Sequence, residues 1–134
     1  MKILQIILVS ILFLQIYFAK EIEVCKTCKY TTIVGAIEVS ENGGVVLIQK
    51  GICKKSNVIV DILITIRGLD FPILDGENKT EILTIAANGV TVEGLQIKNV
   101  GTSYIEDRAG LRIRNSKNFT IKNNILLNTF LEFI

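Results

Sequence analysis

Residues 90–95 read VTVEGL, residues 119–124 read FTIKNN and residues 64–69 read ITIRGL. One pattern underlies all three: apolar, Thr, apolar, charged, then Gly or Asn. It begins at Ile64, returns at Val90 and returns again at Phe119, so the spacing is nearly constant. A second triplet travels with it at a similar spacing, Leu83-Thr84-Ile85 followed by Leu111-Arg112-Ile113. Self-similarity at a period of roughly 20–50 residues marks stacked-repeat architectures, in which each unit buries its apolar face only against its neighbours.

The spacing inside the unit decides which architecture. An apolar-x-apolar triplet puts its two apolar side chains on one face of a strand. The triplets are separated by Asn88-Gly89, Gly94, Asn99, Asn115, Asn123-Asn124 and Asn128. Gly and Asn tolerate the left-handed backbone that a tight corner needs. One unit therefore reads Leu83–Ile85, Val90–Val92, Leu95–Ile97, and the next reads Leu111–Ile113, Phe119–Ile121, Ile125–Leu127. Units this short leave no room for crossover helices. An antiparallel sandwich gives no reason for equivalent strands to recur at near-constant offset. The expected fold is all-β: a right-handed single-stranded parallel β-helix of about three to four rungs, its inward residues in columns. Ile64, Val90 and Phe119 should share one column and Ile66, Val92 and Ile121 another. Thr65, Thr91 and Thr120 should stack outside.

The chain has 134 residues, enough for one domain, and 49% of them are hydrophobic. Much of that apolar excess lies in residues 1–19. Lys2 is followed by a run with no charge to Ala19, and Lys20 and Glu21 then open the polar part. This is the layout of a secretory signal peptide, with residues 20–134 left as the β-helix domain. An uncleaved membrane anchor and a buried core segment are the alternatives for the same run. No small-residue lipobox precedes Cys25. Lys and Arg total 15 against 13 Asp and Glu, so no basic footprint for nucleic acid is expected.

Histidine is absent, which removes Ser/His/Asp and Cys/His catalysis. The carboxylates Asp70, Asp75, Glu77, Glu81 and Glu93 show no repeated pairing that would set two on one face for glycoside cleavage. No catalytic residues are assigned and no enzyme is expected. Cys25-Lys26-Thr27-Cys28 is the sharpest local motif. Two thiolates at this spacing suit a soft metal such as Cu(I). In an oxidising compartment they form a redox or structural disulfide instead, leaving Cys53 as an odd thiol. The segment Gly101 to Ala109 interrupts the repeat. Insertions in solenoids map to loops that often form the binding face, so Tyr104, Glu106, Asp107 and Arg108 are the candidate binding loop; a solvated polar loop, the commoner case, is the alternative.

Three motifs in order, ITIRGLDFPILDG (64–76), NGVTVEGLQIKNVG (88–101) and NFTIKNNIL (118–126), resemble the NosD-type maturation proteins of nitrous oxide reductase. The stretch TTIVGAIEVSENGGVVLIQKG (31–51) is similar to that family's start. The likeness covers roughly residues 25–134. It implies a pectin-lyase-like β-helix capped by a short N-terminal helix, and a periplasmic location. It also implies a role in supplying copper to a copper–sulfide centre, with nitrous oxide reductase and a membrane copper transporter as partners. The repeat itself is shared with carbohydrate-binding β-helices, so polysaccharide is the alternative ligand. Tyr30 and Tyr104 are among the few aromatics that could serve it. Members of the NosD family carry more rungs, and Phe130–Ile134 is apolar without a polar cap. The β-helix is therefore expected to be incomplete at its C-terminal end, and a nonfunctional fragment is a third expectation.

Overall fold

The structure, a computed structural model, describes residues 1–6, 18–54, 57–129 and 131–133, the side chains of Glu132 and Phe133 excepted. The expected signal segment lies mostly outside the described residues; of it, residues 2–6 are helical. Among the described residues no helix is long and apolar enough to cross a membrane.

From Glu21 onward the chain winds as a parallel β-solenoid of about four turns. An initial strand, β1 (Glu21–Val24), leads into the helix Ile33–Glu38. The first turn is β2 (Val45–Ile48), β3 (Ile52–Cys53) and β4 (Val58–Val60). The second is β5 (Thr65–Gly68), β6 (Ile73–Asp75) and β7 (Leu83–Ile85). The third is β8 (Thr91–Glu93), β9 (Gln96–Lys98) and β10 (Leu111–Ile113). The fourth is β11 (Thr120–Lys122), β12 (Ile125–Leu127) and β13 (Leu131–Phe133). Strands of successive turns pair in parallel to make three sheets. The first runs β1-β2-β5-β8-β11, the second β3-β6-β9-β12 and the third β4-β7-β10-β13.

The register follows the repeat. Thr65 pairs with Thr91 and Thr91 with Thr120; Ile66, Val92 and Ile121 form the adjoining inward column. Leu83 and Ile85 sit against Leu111 and Ile113, with Val58 and Val60 below them. Ile64 and Val90 are fully buried, whereas Phe119 in the same column is half-buried and packs against the core. Alternation survives here, although parallel sheets usually read as continuous apolar runs. The reason is that a solenoid covers only the inner face of each sheet. Thus β8 and β9 each bury their middle residue and leave the flanking ones half-exposed.

The corners are made by the residues that permit them. Gly94, Asn99, Asn123 and Asn128 all have positive φ, between +50° and +72°. Asn124 ties one corner to the turn before it. Its Oδ1 accepts from Leu95 N and its Nδ2 donates to Val92 O, both at 2.9 Å. The helix is capped by Thr32, whose hydroxyl accepts from Gly35 N at 3.1 Å. Ile33, Ala36 and Ile37 lie on its buried face, and it packs on β1, β2 and β4, over the start of the solenoid. Residues 131–133, expected only as part of an apolar tail, form β13 and pair in register with β10.

Candidate functional site

The corner between the second and third sheets carries the two longest connections of the middle turns, residues 76–82 and 99–110. They stack on each other through Gly101 N, which donates to Thr80 O at 2.9 Å. Between this corner and the third sheet lies a polar groove lined by Asn57, Thr80, Glu81, Glu106, Asp107, Arg108 and Arg112. Three of the four loop residues named from sequence therefore line one groove. Tyr104 does not line it and stands fully in solvent.

The two arginines hold the groove together. Arg108 donates to Lys79 O at 2.7 Å and lies 3.9 Å from the Glu106 carboxylate. Arg112 projects outward from β10, where its register neighbour is Thr84 of β7. Its guanidinium meets Glu81 Oε1 at 2.5 Å and also donates to Asp107 O. The half-buried Thr80 side chain has its hydroxyl oxygen shielded from water without a hydrogen-bond partner. Three carboxylates and two guanidiniums share the groove, and its lining holds no thiol or imidazole. Such a surface offers many hydrogen bonds in fixed directions. Glu81, Arg112 and Thr80 were not assigned to the site from sequence. The signal for them was the return of Leu83 as Leu111, which sets residues 80–82 in register with 108–110, at the end of the insertion.

The outer face of the first sheet carries a second polar array. Arg67, Glu93 and Lys122 occupy one register column on three successive turns. Glu93 accepts from Arg67 at 2.5 Å and lies 3.2 Å from Lys122. The hydrogen bond from Arg67, followed by that from Lys122, holds the Glu93 carboxyl below its ordinary range. On the second sheet Asp75 is held low in the same way. Its largest cause is the Glu77 backbone N–H at 2.9 Å, and Asn99 and Lys98 add to it.

Cys25 and Cys28 lie in the loop between β1 and the helix and are joined as a disulfide. A disulfide presents no thiolate, so the oxidised pair does not fit Cu(I). Among the described residues no three His, Cys, Asp or Glu side chains gather as a metal site. Cys53 is free, half-buried on β3 beside Leu74, and burial pushes its thiol above the ordinary value. The Tyr30 ring, the other aromatic singled out, lies under the Lys29 ammonium at 5.5 Å.

Comparison with protein-family models, with curated proteins and with solved structures finds no match. The fold and the groove define the class: the chain is a parallel β-solenoid with a polar groove at one corner.

Proposed function

We propose that the chain is an exported, non-catalytic β-helix accessory protein. Its role is the one that the resemblance to NosD-type proteins implies: assisting copper-centre maturation of nitrous oxide reductase beside a membrane copper transporter. The observation that carries this reading is positional. The three resembling motifs occupy the same corner, first sheet to second sheet, on consecutive turns in matched register. The insertion follows the second of them and walls the groove, which on this reading is the partner-binding surface. Export supports the oxidised state of Cys25 and Cys28, and copper binding through them requires the reduced pair. Deleting the gene in its host and measuring copper in purified nitrous oxide reductase tests the role. Loss of most of the copper–sulfide centre is expected; full loading would overturn it.

A second reading has its own observation. Tyr104 stands fully exposed on the insertion whose later residues, Glu106 to Arg108, line a groove rich in directional hydrogen-bonding groups. An aromatic face beside polar side chains is how a neutral polysaccharide is held. Titration with neutral oligosaccharides should give saturable binding that Tyr104→Ala weakens by roughly tenfold, as for one lost stacking contact. Absence of binding removes this reading and leaves the first untouched.

A further inference from the structure

The Cys25–Cys28 bridge stands outside the solenoid, and the fold does not use it as a staple. It spans a sequence separation of 3, and disulfides closing short loops contribute least to stability. The backbone already fixes the loop. Cys25 N donates to Tyr30 O at 3.2 Å, Cys28 N donates to Cys25 O at 3.4 Å, and Val24 bridges to Tyr30. Opening the bridge therefore leaves the chain path in place.

The two sulfurs are not equivalent. Cys28 lines a surface hollow together with Lys20, Glu21, Ile22, Glu23 and Tyr30, whereas Cys25 does not. That hollow includes β1, the outermost strand of the first sheet. Edge strands accept an extended segment of another chain. Thr27 lines the same hollow, and its Oγ1 lies 3.6 Å from Cys25 Sγ. A disulfide sulfur carries no hydrogen, so the hydroxyl is the donor. A donor aimed at one sulfur favours the charge that this sulfur acquires when the bond breaks.

We infer that the bridge is a thiol–disulfide exchange site for a partner protein's dithiol, docked along β1. The partner's thiolate attacks Cys28 Sγ. The S–S bond breaks with its electron pair going to Cys25 Sγ, which Thr27 stabilises. The partner's second thiol then attacks its own sulfur in the mixed disulfide and releases Cys28 as thiolate. In balance the bridge takes up two electrons and two protons, and the partner's dithiol becomes a disulfide. This inference is independent of the copper and polysaccharide readings.

Trypsin separates the three cysteines, into residues 21–26, 27–29 and 51–54, so the unaltered full chain serves for the test. The oxidised, folded chain is treated with reduced glutathione, capped with N-ethylmaleimide and digested. Glutathione is expected on residues 27–29 and maleimide on residues 21–26. The reverse placement, an even split, or no adduct until urea is added would each overturn the inference. So would loss of strand circular dichroism on reduction, which would make the bridge a structural staple. Thr27→Val should slow the exchange by about threefold to tenfold, the rate equivalent of one hydrogen bond. Thr27→Ser should leave it unchanged. An unchanged rate in Thr27→Val would refute the assignment of Cys25 as leaving sulfur.

Discussion

At the scale of single residues, close approach and charge decide most. Gly94 has φ +72°, and a Cβ there would stand 2.6 Å from Gly68 O on the turn below. Gly94→Ala should therefore cost at least about 2 kcal/mol in urea unfolding, from strain and clash together. Gly43, with φ +84° and nothing within 4 Å of the same position, is the control. Its replacement by Ala should cost only about 1 kcal/mol, the left-handed penalty alone. Equal losses at both sites would contradict the stacking of the corners. Glu93 and Asp75 give the pH dependence. Both carboxyls are held below their ordinary values of 4.5 and 3.8 in the folded chain. The ionised forms are thus favoured by folding, so their contribution is intact above those values and is lost as pH falls through the lower folded values. Stability should be flat from neutral pH down to about 5 and then decline. Glu93→Gln should remove part of that decline; an unchanged acid limb would contradict the charge column.

At the scale of elements, the corners and the helix cap show what the repeat left visible. Asn124 serves two backbone groups of the previous turn. Asn124→Ala should cost about 1–3 kcal/mol by leaving a part-buried donor and acceptor unsatisfied, read again by urea unfolding. Thr32→Ala should cost about 1 kcal/mol through the lost helix cap. β5 and the strands from Leu83 to Leu127 were legible because their turns keep a near-constant step (Leu83 to Leu111, Thr91 to Thr120, Gln96 to Ile125) and mark each corner with Gly or Asn. The first turn was not. The step from Val45 to its partner Thr65 is shorter than those, and β2 is a continuous apolar run without the Thr–charge signature. Residues 131–133 escaped for the same reason, because the step from Leu111 to Leu131 is also too short for the period. Sequence likeness alone pointed to the helix, since its single short stretch, Ile33–Glu38, holds too few turns for a periodic signal.

At the scale of the whole molecule, three sheets enclose one core of stacked, mainly aliphatic columns, and function is left to what projects from the corners. The insertion at 101–109 was legible as an insertion because it breaks the period. Its partners Glu81 and Arg112 were not, because their meeting depends on the turn-to-turn register. Tyr104 looked like part of the same cluster in sequence, yet it does not line the groove. The central claim is the parallel stacking itself, and nuclear Overhauser contacts in solution test it most directly. The account predicts backbone contacts linking Thr65 to Thr91 and Thr91 to Thr120, in the staggered pattern of parallel pairs. Close Hα–Hα contacts across neighbouring strands, the mark of antiparallel pairing, would contradict it.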